Sequence, residues 1–316
     1  MATYIGIDIS KDTFDAATSE QKQSIIFKNT AAGYKKFIAW ISKLNEPHVC
    51  MEATGKYYLG LATSLHEQGI SVSVVNPLRI KRYAQSGLNK VKTDSEDAKV
   101  IAQFCKTEKL VLWAPDKPVI QELQEWYKLK DLLTRQQTQL KNQLKSGLNS
   151  RVRKVQEKQI QQIEKSIKAV VAKIKECIQS DKELCQSVKL LESITSIGEK
   201  TAMDLITFIK DIKRFDKAKN LASFAGLTPQ IIQSGTSVNS SRLSKMGNAN
   251  LRKCLYMPAI NAMAYNVPLK RFADGLRAKG VASGKIKAAV MRKLIHIVFA
   301  VLNSGKPFDP EYKMCV

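Results

Sequence analysis

Thr3-Tyr-Ile-Gly-Ile-Asp8-Ile-Ser-Lys-Asp12 is the stretch on which the reading of the chain turns. Tyr4, Ile5, Ile7 and Ile9 mark a strand that belongs in a core, with one acid, Asp8, among them. An unpaired carboxylate in such a place costs on the order of several kcal/mol, and a divalent cation is the usual remedy. The plainer alternative is a strand-end Asp that caps the turn into Ser10-Lys11-Asp12.

Outward from this strand, Thr13 to Thr18 and Ser24 to Lys28 alternate and predict an antiparallel meander. Ala31 to Leu44 has helical spacing (Tyr34, Phe37, Ile38, Ile41) and stops before Pro47. His48-Val-Cys-Met-Glu52 is a second buried strand ending on an acid, Tyr57 to Gln68 a helix ended by Gly69, and Ser71 to Asn76 a strand stopped by Pro77. Three strands, helix, strand, helix, strand and then helices predict a mixed α/β sheet with helices over it.

Lys92-Thr-Asp94-Ser-Glu-Asp97-Ala opens the next helix, with Asp94 and Asp97 three apart on one face. Alone, the segment reads as capping, because Thr93 with Glu96 fits a capping box and acids in a first turn suit the helix dipole. Asp8, Glu52, Asp94 and Asp97 can nevertheless converge at one end of a sheet. Four carboxylates at one spot repel unless cations sit between them. Hard oxygen ligands select Mg²⁺ or Mn²⁺ over zinc.

The balance of charge points the same way. Lys plus Arg number 51 against 28 acids, a net charge of +23, which implies a polyanionic partner, nucleic acid before an anionic membrane surface. No apolar run of about eighteen residues and no exported leader is visible, so a soluble, cytoplasmic protein without membrane association is expected. Six cysteines without a C-x-x-C pair, beside three histidines, argue against structural zinc and a disulfide framework.

From Pro118 to about Ser180 glycine is nearly absent. Trp126, Leu129, Leu133, Leu140, Leu144 and Leu148, then Ile160, Ile163, Ile167, Val170, Ile174 and Ile178, predict long amphipathic helices paired as a coiled coil, with the hairpin at Gly147 to Val155. They form either a spacer or a dimerisation arm. Leu190 to Leu205 reads helix, tight turn at Gly198, helix. The Ile197-Gly-Glu-Lys200-Thr turn offers a phosphate site, or else an ordinary helical hairpin. Ile231 to Asn248 reads as a long polar loop before a basic helix at Ala249 to Ala264, and composition alone does not choose among its serines. His296 lies on an apolar helix and is not expected to be a general base.

Ile-Gly-Ile-Asp8, Met-Glu52-Ala-Thr-Gly-Lys-Tyr, Asn76-Pro77 and Lys92-Thr-Asp94-Ser-Glu-Asp97-Ala, in this order and spacing, resemble the amino-terminal domain of the DEDD insertion-sequence transposases, relatives of the pilin-gene invertase. Phe224-Ala-Gly-Leu-Thr-Pro, Ser234-Gly-Thr-Ser, Arg242-Leu-Ser-Lys245-Met-Gly-Asn and Leu251-Arg252-Lys resemble their second domain. The resemblance implies a RuvC-like, RNase H-type domain over residues 1–115, a coiled-coil segment over 116–185, and a mostly α-helical domain over 186–316 that carries the serine loop. It makes Asp8, Glu52, Asp94 and Asp97 a tetrad for Mg²⁺ or Mn²⁺ and Ser234 the nucleophile. Lys200, Arg242, Lys245 and Arg252 are the candidates for nucleic-acid contact. It further implies a site-specific recombinase acting on donor and target DNA, guided by a structured non-coding bridge RNA, through a phosphoserine intermediate. The working form would be a homo-oligomer, a dimer or a tetramer, with a composite site. The alternatives are a Holliday-junction-type nuclease without covalent serine chemistry, a sugar-kinase-like ATPase, and a non-catalytic nucleic-acid scaffold.

Overall fold

The computed structural model describes residues 2–20, 24–53, 55–86, 94–147, 149–234, 238–244 and 246–311, with the backbone alone described at 86, 94, 95, 231–234 and 238–242. The chain divides into two compact units, Met1–Pro115 and Asp116–Val316.

The first unit runs β1 (Thr3–Ile9), β2 (Thr13–Thr18), β3 (Ile25–Lys28), α1 (Ala31–Ile41), β4 (Pro47–Glu52), α2 (Tyr58–Glu67), β5 (Ser71–Val75), α3 (Pro77–Ser86) and α4 (Asp94–Thr107). This is the element order that the alternation of apolar runs predicts. The strands lie in the order β3-β2-β1-β4-β5. β1, β2 and β3 are antiparallel neighbours, whereas β4 and β5 run parallel to β1.

The period-2 alternation of the strands sorts their side chains onto two faces. Ile5, Ile7, Ile9, Phe14, Ala16, Val49 and Met51 pack with Phe37 and Ile41 of α1 and Leu61 and Leu65 of α2. On the opposite face Cys50 and Val75 pack with Ile80 of α3 and Ile101, Phe104 and Cys105 of α4. Burial of that face raises the Cys50 thiol, after the larger effect of its hydrogen bond with Cys105. Five cysteines are free thiols, and Cys315 lies outside the described residues.

The second unit runs α5 (Pro118–Gln143), α6 (Ser150–Gln179), α7 (Lys182–Glu192), α8 (Glu199–Ile209), α9 (Ala218–Phe224), β6 (Pro229–Ser234), β7 (Val238–Leu243), α10 (Ala249–Tyr265), α11 (Val267–Ala278) and α12 (Ser283–Ser304). Ile120, Leu123 and Tyr127 of α5 and Val170, Ile174 and Ile178 of α6 share one core with α7 to α12, so residues 116–185 and 186–316 are packed together. Val290, Leu294, Ile295 and Val298 of α12 are fully buried at its centre. Among the described residues no helix is long and apolar enough to cross a membrane.

Two sequence expectations are corrected here. The hairpin expected at Gly147 to Val155 is shorter, because α6 begins at Ser150 with Arg151, Arg153 and Lys154 in its first turns. Asn149 Oδ1 accepts the Arg151 amide at 2.9 Å and starts the helix. The stretch 231–243, read as a loop, is a two-stranded antiparallel hairpin of β6 and β7. Its Gln, Ser, Thr and Asn residues carry no apolar alternation, so the usual strand signal is missing.

Candidate active site: acids at one end of the sheet and a serine on a hairpin

Gly6 fixes the geometry of the acidic end. A Cβ there would lie 2.0 Å from Ala98 O, 2.3 Å from Ala102 N and 2.9 Å from Ile101 C, so the backbone of α4 rests directly on β1. Gly6 and Asp8 are two residues apart in one strand and therefore share the α4 face. The pairing of β1 with β4 ends with Ile7 beside Met51, and its next step sets Asp8 beside Glu52. Cys50 packs toward α4, and Glu52, two residues on, falls on the same face. Asp8 and Glu52 are both half-buried, at the carboxyl ends of neighbouring parallel strands about 4.8 Å apart.

The direction of α4 follows from its other end. Lys106 Nζ reaches Glu20 Oε1 at 3.9 Å, and Glu20 lies just beyond Thr18, the partner of Ile5. The carboxyl end of α4 is thus at the Thr3 end of β1, which leaves its first turn over the Asp8 end. Ala98, Ile101, Ala102 and Cys105 form its buried stripe. Positions 94 and 97 precede 98 and 101 by one turn and continue that stripe. Asp97 is half-buried. Asp94 opens the helix and is described by its backbone alone, and Thr93, its expected cap, lies outside the described residues. Glu96 pairs with Lys99 at 2.8 Å.

A fifth acid was missed in the sequence. Asp15 pairs directly with Asp8 across β1 and β2, on the α4 face, and accepts a hydrogen bond from Ser24 Oγ at 2.8 Å. Directly opposed side chains sit with Cβ atoms about 5 Å apart, where like charges are unfavourable. Phe14 and Ala16, which flank Asp15, face the other core. Asp8, Asp15, Glu52 and Asp97 lie toward this end of the sheet, and carboxylate oxygens suit Mg²⁺ or Mn²⁺ better than zinc. Among the described residues no group of three or more such side chains is close enough to hold an ion.

Ser234 is the last residue of β6, paired with Val238 at the tip of the hairpin. The root of this hairpin is bound at several points: Ser244 N donates to Thr228 O at 2.9 Å and Asn248 N to Phe224 O at 2.7 Å. Of the basic candidates, Lys200 is exposed in the first turn of α8, whose N-cap Gly198 makes no side-chain cap. Beside it Glu199 pairs with Lys175 at 2.6 Å. Arg242 lies in β7, described by its backbone, and Lys245 lies outside the described residues. Arg252 of α10 turns inward, its Nη1 donating to Ala225 O at 3.0 Å and Gly247 O at 3.3 Å. His296 is half-buried on α12, and burial, with Arg292 and Lys293 nearby, holds its imidazole below the ordinary range.

Comparison with known proteins gives this arrangement its context. A family model described as a DEDD-type IS110 transposase matches residues 5–152, and one described as "Transposase IS116/IS110/IS902 family" matches residues 188–274. The chain is 34% identical over 315 residues to the pilin gene-inverting protein of Moraxella lacunata, covering 97% of this chain and 98% of that one. The counterpart from Moraxella bovis is equally similar. The transposase for insertion sequence element IS1111A of Coxiella burnetii is 22% identical over 345 residues, covering 96% and 90%. These matches define a DNA recombinase of the transposase class. The chain belongs to the IS110-type family of insertion-sequence transposases.

Proposed function

We propose that this transposase cuts and rejoins DNA with Ser234 as its nucleophile, in a RuvC-like domain's acidic field, under the guidance of a structured non-coding RNA. The observation that carries the reading is the meeting of Asp8, Glu52 and the first turn of α4 at one end and on one face of the sheet. The strand order β3-β2-β1-β4-β5, antiparallel then parallel, supports the RNase H-type assignment.

In the proposed step the Ser234 hydroxyl loses its proton as its oxygen attacks a DNA phosphorus. An Oγ–P bond forms and the P–O3′ bond breaks, leaving a free 3′-hydroxyl and a 5′-phosphoserine that keeps the bond energy for rejoining. Attack by the 3′-hydroxyl of another strand reverses the step and releases the serine. Asp8, Glu52, Asp94 and Asp97 are the residues to hold Mg²⁺ or Mn²⁺, which when bound would offset charge on the phosphoryl oxygens. Because Asp8 and Glu52 stand on sheet strands and Asp97 on a helix seated against them, the acids keep their spacing through the reaction. Following what the family resemblance implies, we assign the complete site to a homo-oligomer in which one protomer's serine serves another's acids.

Incubation with donor DNA followed by denaturing electrophoresis tests this. A DNA-linked protein band should form, disappear in Ser234→Ala, and fall at least about 100-fold in Asp97→Asn while DNA is still bound. Undiminished cleavage by Ser234→Ala would leave a nuclease in which water attacks, and sink the serine mechanism.

A further inference from the structure

A two-stranded hairpin is marginal in water on its own. The position of Ser234 therefore depends on how the root of β6 and β7 is fastened. From Pro229 to Ser234 is five residue steps, about 17 Å of lever. A tilt of about 10° at the root displaces the tip by roughly 3 Å, whereas a misplacement of about 1 Å already costs on the order of 100-fold in rate.

The root is fastened by a charged side chain from another element. Arg252 Nη1 donates to Ala225 O, just after α9, and to Gly247 O, just before α10. One guanidinium nitrogen thus ties together the two chain segments that enter and leave the hairpin. Gly247 has a φ of +148°, and a Cβ on it would fall 2.4 Å from Phe224 O and 2.6 Å from Gly226 N, so these segments are in backbone contact. Arg292 of α12 donates to Leu227 O at 3.4 Å. Ala225 and Leu227 are buried, which makes the connection a fixed base.

We propose that Arg252 is the positioning residue of the serine hairpin, setting the angle at which β6 presents Ser234. The proposal rests on Ser234 being the nucleophile. It replaces the expectation that Arg252 is spent on nucleic acid.

The test compares Arg252→Ala and Arg252→Lys in the full chain by hydrogen exchange, DNA affinity and single-turnover cleavage at saturating DNA. Arg252→Ala should speed exchange of the amides of 230–234 and 238–248 by about tenfold, with α8 and α12 unchanged, because a charged hydrogen bond at the root is lost. Cleavage should slow by about 100-fold with DNA affinity within about twofold, and Arg252→Lys should regain about tenfold of the loss. Weakened DNA affinity with an unchanged hairpin makes Arg252 a nucleic-acid contact and overturns the proposal. Faster exchange throughout α10 and α12 in both variants makes it a general stabiliser, which also overturns it. If Ser234→Ala still cleaves, the nucleophile reading fails separately. A loosened hairpin would then show that Arg252 anchors it and that the anchoring does not serve catalysis.

Discussion

Gly6→Ala is the most demanding test of the acidic end, because one methyl group bears on both packing and placement. The new Cβ would lie 2.0 Å from Ala98 O, and ordinary contact begins at 3.4 Å. The helix α4 must therefore retreat by about 1.4 Å, the difference of those two distances. It cannot evade by moving a side chain, since all three obstructing atoms are backbone. Overpacking of this kind costs about 1–3 kcal/mol, and the retreat also opens gaps around Ile101, Ala102 and Cys105, so the upper end applies. About 3 kcal/mol corresponds to roughly 100-fold faster exchange of the amides in 3–9 and 94–107. A retreat of more than 1 Å also carries Asp97 away from Asp8 and Glu52, with an expected loss of about 100-fold in DNA cleavage. Gly275→Ala in α11 is the matched control: nothing lies within 4 Å of its Cβ, and the change should stabilise by about 0.5–1 kcal/mol. Unaltered protection of α4 in Gly6→Ala would refute the argument, for it would mean that the helix is not seated on this glycine.

Two further predictions concern each unit in turn. Ser73 Oγ donates to Val111 O at 3.1 Å, so it accepts from His48 Nε2 at 2.9 Å, and burial holds the His48 imidazole below its usual 6.5. The unfolded chain then binds more protons between the folded value and 6.5. The first unit should lose stability as pH falls from 6.5 through that folded value, and the loss should vanish in His48→Gln in thermal melts from pH 7.5 to 5. In the second unit Lys130 Nζ lies 2.9 Å from Asp204 Oδ1 and 3.9 Å from the centre of the Tyr127 ring, with the paired side chains only 15% and 18% exposed. Lys130→Met should cost about 3 kcal/mol by stranding Asp204, and Lys130→Met with Asp204→Leu should recover most of it, as read from urea unfolding and exchange in α5 and α8.

The first unit was legible because its strands alternate and its helices keep a 3.6-residue period, so Ile5, Ile7, Val49 and Met51 announced one face. Asp8 and Glu52 were legible for the related reason that each interrupts or ends an apolar run. Asp15 was not, because its meaning depends on the register of β1 with β2, a long-range fact. Gly6 in a sequence reads as a weak point in a strand, and only the helix crossing over it explains why no side chain is tolerated. The serine hairpin stayed hidden for a different reason. Its strands are held from the root by carbonyl contacts of Arg252 and Arg292, and such contacts leave no periodic mark on the strands themselves. That Arg252 Nη1 donates to Ala225 O and Gly247 O is likewise a tertiary fact, which no local pattern in the chain shows.

The pair of helices α5 and α6 behaves as a ruler. Its inner end is set in the core through Ile120, Leu123, Val170 and Ile174, while Gln143 meets Gln156 at 3.1 Å near the outer end and Gln137 meets Glu164 at 2.9 Å between them. Contacts at matched levels mean that seven residues can be excised from each helix together without rotating either end relative to the other. Each such excision shortens the reach by about 10 Å. The reach of the pair can thus be altered in steps while the packing around its inner end is kept.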